Sequence, residues 1–473
     1  MPAFTDDNLR HLLRRTEFVA RPQRLLTLKA RGTIEAAVDD VLSLHLNPAL
    51  RQSQGPVAYF ENFNGENASG VYDAGWTQYS EAARWWIDYA ARGTSASKGP
   101  TPAPPEWRAL QEKMVLFWHG HFVSSWSQIH LGVHLMWQLH GYRKLALGNV
   151  DQLAQAMAVS PAMLVYLSNA FNVAAEPNQN FARELMELFT LGVGNYTEDD
   201  VDAVARAWTG HNYAYQWQSY IYVDGAHDHS DKTLFGTTAN WDGPEVIDEI
   251  LLHNPSKRAI AARFLARKLW EFFAYVGPEP ALLDAMSAVL LANQMNVGKL
   301  MRAMLLRDEF YSARARTGLV RAPLDWIVAV AFHTNMRGAD INLIDATNPQ
   351  IGERQRRSEL TGQLIFQPPN VSGWRPNEYW LTASGLSGRA QIAGTAAEFV
   401  MSNPAATPLS FSGTVGEVID RVAEYFGIHA LGSTTRAAIV AAFGNNAGAA
   451  FPNPEGARDL LMLVMLSPEC HLA

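Results

Sequence analysis

Apolar residues recur three or four positions apart along most of the chain, the spacing at which they share one face of an α-helix. Beyond residue 106, one such series comprises Trp107, Leu110, Met114 and Phe117. The same spacing predicts a helix over 76–92 and two helices over 8–42, with a break near Pro22. Helices therefore account for most of the predicted secondary structure.

Helix starts can be placed where a capping residue precedes an apolar series. Ser160–Pro161 and Asn453–Pro454 each predict an N-cap followed by proline in the first turn. Residues 197–200, Thr-Glu-Asp-Asp, have the pattern of a capping box, with acidic residues at the positive end of the helix dipole. These three signals divide the polar and apolar series into separate helices.

One stretch departs from the helical spacing. Aromatic residues occupy alternate positions on both sides of a short polar break, at Tyr213, Tyr215, Trp217, Tyr220 and Tyr222. Alternation with period two predicts a β-hairpin, which we place as a small insertion near residues 212–236. Since strands and helices do not alternate regularly, the expected fold is mainly α, a multi-helix globular array with this one small hairpin.

Two stretches rich in proline, serine and glycine interrupt the pattern. The first predicts a loop over residues 93–105, and the second begins after residue 404. We therefore expect a main helical domain over 1–403 and a small C-terminal helical subdomain over 404–473, packed on the main domain.

Composition narrows the classes of partner and cofactor. The chain has 473 residues and a net charge of −8 without a basic run, so a nucleic-acid partner is not expected. It has no glycine-rich phosphate loop, no dinucleotide fingerprint and no Gly-x-Ser-x-Gly elbow, so no nucleotide cofactor is expected. The one cysteine, Cys470, can form neither an internal disulfide nor a cysteine zinc site.

Two features of the sequence bear on cellular location. No apolar run reaches the length of about eighteen residues that a membrane span needs, so none is expected. The first residues lack the basic and apolar regions of a signal peptide, which favours a cytoplasmic protein. Export is the alternative if a leader has been removed.

The densest group of polar residues lies within 178–192. On a regular helix, Asn180, Glu184 and Glu187 would share one face. Arg183 would stand at the border of that face. Two carboxylates three residues apart can bind one metal ion or share one proton. The alternative interpretation is an ordinary solvated helix face.

Histidines are concentrated in residues 119–140, which hold five of the fourteen in the chain. His119 and His121 are candidate metal ligands, since the glycine between them permits a turn. His130 and His134 are one helical turn apart, but no acidic residue lies between them, so the helical zinc-protease pattern is absent. The alternative is that these histidines are buried and form structural hydrogen bonds.

A third polar group follows the predicted hairpin. His227, Asp228, His229 and Lys232 lie on one loop, where they could supply a base, a metal ligand or a phosphate contact. The alternative is a polar surface turn.

A fourth candidate is the rigid turn over 366–374, which contains Asn370 and Trp374, with Arg389 beyond it. An aromatic residue on such a turn can stack against a ligand. A purely structural corner is the alternative.

Taken in this order, these motifs resemble a large bacterial family known as domain of unknown function eighteen hundred. The resemblance rests on the following segments: His11–Arg15, Trp118–Phe122, Leu147–Asn149, Pro161–Met163, Pro177–Val193, Tyr196–Glu198, Ala205–Gly210, His227–Asp228 with Lys232 and Gly236, and Pro368–Trp374. Within the family's pattern, Gln179 stands where glutamate is usual, Ser168 where aspartate is usual and Val19 where glycine is usual.

The resemblance implies no established activity. It implies that the polar segments occur together, which makes a single cavity more plausible. Family members are often exported and often accompany a phosphatase-fold protein, so a partner of that kind is an expectation here.

From these observations we hypothesise a metal-dependent enzyme, either a hydrolase or an oxidoreductase, with its site in a helical cavity. A divalent metal (iron, zinc or manganese) would be bound by His119, His121, Glu184 and Glu187. The catalytic residues would be Glu184, Glu187, Arg183, His227 and Asp228. The residues that contact substrate would be Asn180, Lys232, Asn370, Trp374 and Arg389.

The competing hypothesis is a non-catalytic scaffold that binds a glycan or a protein. In that protein Arg183, Glu184 and Glu187 would form a buried structural ion network. The two hypotheses differ in whether the polar segments converge on an open pocket or are sealed in the core.

Overall fold

The computed structural model describes residues 1–43, 76–92, 109–214, 219–337, 361–452 and 454–472. These residues form 22 α-helices. Their bounds are Asp6–Glu17, Pro22–Lys29, Ile34–Val41, Trp76–Arg92, Ala109–His119, Trp126–Ile129, Gly132–Leu145, Val150–Ala158, Pro161–Tyr166, Gln179–Glu184, Glu198–Ala207, Gly243–Asp248, Pro255–Phe273, Pro280–Ala292, Val297–Leu305, Ala313–Thr317, Pro323–Thr334, Ala383–Ser402, Val415–Tyr425, Ser433–Ala442, Glu455–Met465 and Pro468–His471. The prediction of a mainly α fold is confirmed.

Strands occur as two small antiparallel pairs. β1 (His211–Ala214) pairs with β2 (Ser219–Tyr222), with His211 opposite Tyr222. β3 (Lys232–Leu234) pairs with β4 (Thr237–Ala239). The predicted insertion is therefore two hairpins rather than one, because the turn at Phe235–Gly236, where both residues have positive φ, folds its second half back on itself.

Capping residues start helices where the sequence predicted them. The Ser160 hydroxyl accepts from Met163 N, and Thr197 with Asp200 forms a complete capping box. The region 8–42 holds three helices rather than two, since Thr33 caps a third helix directly after the turn at Gly32. The predicted loop 93–105 and Asn453 lie outside the described residues.

The helix that begins at Gln179 changes geometry after Glu184. Leu185–Thr190 is a π-helix, whose hydrogen bonds span five residues instead of four. Leu191 N donates to Met186 O at 2.8 Å, which closes this wider turn. The polar segment 178–192 is therefore not one regular helix.

One continuous hydrophobic core runs through most of the described chain. Its largest fully buried side chains include Trp86, Trp118, Trp208, Trp270 and Trp326. The helix Glu455–Met465 contributes to the same core and packs against Ala383–Ser402. The predicted division between residues 403 and 404 stays a prediction.

The chain ends of the described structure are joined by polar contacts. Arg14 donates to the carbonyl oxygens of Glu469 and Leu472 at 2.7 and 2.5 Å. Arg321 N donates to His471 O at 2.7 Å. The first helix and the last turn of chain are thereby held together.

None of the helices within the described ranges is long and apolar enough to cross a membrane.

Candidate metal centre

Three potential metal ligands meet beside the first hairpin. His211 begins β1, His227 follows a short 3-10 turn after β2, and Asp242 is the N-cap of the helix Gly243–Asp248. One donor atom from each residue lies within 4.8 Å of the donor atoms of the other two. Across the described part of the chain, no other group of three histidine, cysteine or acidic residues approaches so closely.

A glycine lets the two histidine segments approach each other. Gly210 precedes β1 with φ +78°, and a Cβ built there would lie 2.8 Å from Val223 O and 3.1 Å from His227 Cβ. A larger residue would therefore force the His227 backbone away from the strand.

Hydrogen bonds fix the orientation of both imidazoles. The Nδ1 of His227 lies 2.8 Å from the carbonyl oxygen of Thr209 and therefore carries the proton. The lone pair is then on Nε2. A histidine that donates one ring N–H to a carbonyl and offers its other nitrogen is the usual arrangement of a metal ligand.

His211 is held at both of its nitrogens. Its Nε2 lies 2.7 Å from Asp242 Oδ1, and its Nδ1 lies 3.0 Å from the Tyr220 hydroxyl. In the structure Nε2 donates to this carboxylate and Nδ1 accepts from the Tyr220 hydroxyl. With the imidazole proton on Nδ1 instead, the Tyr220 oxygen could accept it, and Nε2 and the carboxylate would both have lone pairs for a cation. A cation between them would then be stabilised by both.

The carboxylate side of the cluster is open to solvent. Both imidazoles are buried, whereas the Asp242 side chain is 42% exposed. Burial would raise the pKa of Asp242, but the hydrogen bond and charge of His211 and the Gly243 N–H hold it below its ordinary value. Asp242 is therefore ionised at neutral pH.

Aromatic rings border the cluster. The rings of Trp208 and Tyr222 lie 4.8 and 5.0 Å from the His211 ring, and the ring of His229 lies 4.8 Å from that of His227. Tyr222 and His229 are both exposed. Two imidazoles and one carboxylate with such an open side can hold a divalent metal and leave positions for water or another ligand.

Among the predicted site residues, His227 alone enters this cluster. Its neighbour Asp228 is bound to Arg206 at 2.7 Å, and its pKa is lowered by hydrogen bonds from Ser230 and Arg206, which outweigh the effect of burial. Lys232 is buried and donates to Ser230 O at 2.9 Å and Asn240 Oδ1 at 3.1 Å. Asp228 and Lys232 thus hold the shape of the loop that carries His227.

The acidic pair of residues 184 and 187 lies on a partly exposed face. Glu187 accepts from the Tyr196 hydroxyl at 2.5 Å, and burial followed by the charge of Glu187 raises the pKa of Glu184. Arg183 binds Glu198 through two contacts of 2.8 Å at the surface rather than within a buried network. Asn180 is exposed.

The histidines at 119 and 121 are enclosed in the core, where each Nε2 contacts the backbone. His119 accepts from Phe366 N at 3.0 Å, and His121 lies 3.0 Å from Phe189 O. Burial lowers the pKa of His119 to about 3, so this imidazole is neutral. Among the described residues, His119 and His121 do not form a group of potential metal ligands with Glu184 and Glu187.

The turn at residues 366–374 packs on the segment that contains His119. The ring of Trp374 lies 5.3 Å from that of His119, and the Asn370 side chain accepts from Ser372 N at 2.9 Å. Arg389 is fully buried, donates to Arg321 O at 2.7 Å and lies over the Trp326 ring. Trp374 lines a cavity. Arg389 does not line this cavity and makes contacts within the core.

Sequence reasoning missed His211 and Asp242. The available signals were weak: His211 stands just before the alternating aromatic residues, and Asp242 with Glu245 has the spacing of a capping box. Neither pattern predicts a metal ligand. Tertiary structure brings the two residues together across 31 positions of sequence.

Fold and site define a helical protein with a candidate centre of two histidines and one carboxylate. The chain belongs to the family described as Protein of unknown function (DUF1800), whose family model matches residues 11–472. No curated protein and no solved structure matches it.

Proposed function

We propose that this protein is a metal-dependent enzyme, a hydrolase or an oxidoreductase, whose divalent metal is bound by His211, His227 and Asp242. The observation that supports it is the convergence of three donor atoms within 4.8 Å of one another. Bound there, zinc, iron or manganese would activate water or oxygen.

The surrounding residues have definable roles in this proposal. Thr209 and Tyr220 orient the two imidazoles by accepting or sharing their Nδ1 protons. Tyr222 and His229 border the open side, where a substrate would approach. The Arg206–Asp228 pair keeps the loop of His227 in place.

Elemental analysis of protein purified without chelator or a metal-affinity tag tests the proposal. We expect near-stoichiometric metal in the natural chain and little in His211→Ala or His227→Ala. His229→Ala is a matched control, since His229 lies on the same loop and is exposed. Zinc would favour a hydrolase because zinc has no redox chemistry, and iron would favour an oxidoreductase.

The proposal is overturned if the protein contains no metal and takes up none on titration with Zn²⁺, Fe²⁺ or Mn²⁺. Loss of metal in Glu184→Gln or His119→Gln, but not in His227→Ala, would instead support the ligands inferred from the sequence. Circular dichroism of every variant separates metal loss from unfolding.

A non-catalytic binding protein is the second candidate. The observation that favours it is that His211 and Asp242 already satisfy each other at 2.7 Å, as in a structural hydrogen bond. Its ligand would be a glycan or a protein, including the phosphatase-fold partner expected from the family resemblance. A metal-free chain that binds a glycan array or co-purifies with such a partner would establish this role.

A further inference from the structure

The cavity lined by Trp374 is separate from the candidate metal centre and lies between several helices and the turn that carries this tryptophan. Its volume is about 280 Å³. Five cationic side chains line it: Arg15, Lys113, Lys268, Arg321 and Arg375. In a chain whose net charge is −8, this concentration of positive charge is local and needs an explanation.

Three of the cations are almost completely buried. Arg15, Lys113 and Arg321 are 2%, 3% and 4% exposed. One buried carboxylate, that of Asp325, is shared by two of them, since it binds both Lys113 and Arg321. Buried charges are strongly disfavoured unless each is compensated, so one carboxylate leaves an excess of positive charge.

Arg15 is the cation that lacks a carboxylate. Its guanidinium donates to Ala315 O, while its Nε has no hydrogen-bond partner in the described structure. Burial, together with the charge of Arg14, lowers the pKa of Arg15 to about 9. An anion in the cavity would restore the ordinary preference for the charged form.

Lys268 extends the basic lining. It forms no ion pair with any residue in the described ranges, and its Nζ lies 5.4 Å from the centre of the Phe264 ring. Burial and the adjacent Arg267 lower its pKa to about 8. Glu271, the second acidic residue of the lining, accepts from Gly277 N at 3.2 Å, and its charge opposes this lowering of the Lys268 pKa without outweighing it.

The remaining lining is largely apolar and aromatic, including Phe117, Phe272, Trp374 and Trp380. Such walls accommodate a hydrocarbon or aromatic group, while the cations accommodate an oxyanion. The volume of about 280 Å³ suits a small molecule.

We propose that this cavity binds a small organic oxyanion, a carboxylate or phosphate ester with an apolar or aromatic body. The oxyanion contacts Arg15, Lys113 and Lys268, and the body lies against Phe272 and Trp374. The proposal does not depend on the metal centre, because none of the three metal-ligand residues lines this cavity.

Calorimetric titration tests this with benzoate and phenyl phosphate as probes and benzamide and phenol as their uncharged counterparts. We expect the two anions to bind, the neutral compounds to bind much more weakly, and affinity to fall with added salt. Inorganic phosphate alone reports how much of the affinity the aromatic group contributes.

Two neighbouring residues provide matched variants. Lys268→Gln removes a cavity cation without breaking an ion pair, and should weaken binding of the anions about tenfold, equivalent to ~1.4 kcal/mol. Arg267→Gln removes the next cation on the same helix, which does not line the cavity, and should leave affinity nearly unchanged. Both positions tolerate substitution better than Arg15 or Lys113, which are deeply buried.

Equal binding of benzoate and benzamide, no binding of either anion at millimolar concentration, or equal effects of the two variants would each overturn the proposal. Preference between benzoate and phenyl phosphate identifies which oxyanion the cavity accepts.

Discussion

Asp325→Asn removes the one carboxylate that compensates Lys113 and Arg321. Burial would raise the pKa of Asp325, but these two cations hold it below its ordinary value, so the wild-type side chain is ionised. The substitution keeps nearly the same shape while it removes the charge. Its effect therefore measures how strongly the buried cations depend on this partner.

The expected magnitude follows from the burial of all three groups. Removing one member of a buried ion pair costs about 3–5 kcal/mol, because the other charge is left uncompensated. Lys113 can reduce this cost by losing its proton. Burial lowers its pKa to about 8, and only the charge and hydrogen bond of Asp325 oppose this shift. Without Asp325 the pKa falls further, and Lys113 becomes neutral in the folded variant at lower pH than in the wild type.

The sign of the pH dependence can be worked out from this shift. The unfolded chain binds the Lys113 proton up to a higher pH than the folded chain, so stability contributed by this group rises with pH. In the wild type the rise starts near pH 8, and in Asp325→Asn it starts lower. Between pH 7 and 8, the free energy of unfolding of Asp325→Asn should therefore approach that of the wild type, by at most about 1.4 kcal/mol.

Urea unfolding followed by tryptophan fluorescence at both pH values provides the measurement. Glu398→Gln is the control, because Glu398 binds Arg458 at 3.0 Å on the surface, where a pair contributes at most about 1 kcal/mol. The reasoning is refuted if Asp325→Asn is no more destabilising than this control. It is also refuted if the loss in free energy of unfolding, relative to the wild type, grows as the pH rises.

Three further outcomes are expected. Gly210→Ala should destabilise the protein by about 1–3 kcal/mol and reduce bound metal, since its Cβ would lie 2.8 Å from Val223 O; unchanged melting and metal content would contradict this. His119→Phe should cost about 1–3 kcal/mol in a denaturant titration, because the Phe366 N–H loses its acceptor, yet bound metal should not change. Thr197→Ala should cost about 0.5–2 kcal/mol through the lost cap, measured by thermal unfolding against Thr197→Ser, which retains it.

Local features of the fold were predictable because their causes are local. The helix Trp76–Arg92 and the box at Thr197 depend on residues a few positions apart, and both agree with the structure. The polar face of Glu184 and Glu187 was derived for a regular helix, and the π-helix that begins at Leu185 changes that geometry. The local pattern of apolar and polar residues does not predict this transition from α-helix to π-helix.

The site depends on contacts between residues far apart in sequence, so it could be predicted from the sequence only in part. His227 was a candidate, but its neighbours His211 and Asp242 come from a strand and a helix cap, 31 residues apart. Likewise, the hydrogen-bond partner of His119 is 247 residues away, so its sequence neighbours could not distinguish a ligand from a core residue. The residue types in the sequence limit which ligands and catalytic groups are available, whereas the tertiary structure determines which of them lie in one site.

The contacts between Arg14 and the last turn of chain have a consequence for biosynthesis. Arg14 leaves the ribosome 455 residues before Glu469 and 458 residues before Leu472, yet it is paired with both in the folded protein. Until Leu472 has been translated, this half-buried guanidinium lacks both carbonyl acceptors, so these contacts of the first helix can form only late in the synthesis of residues 1–472.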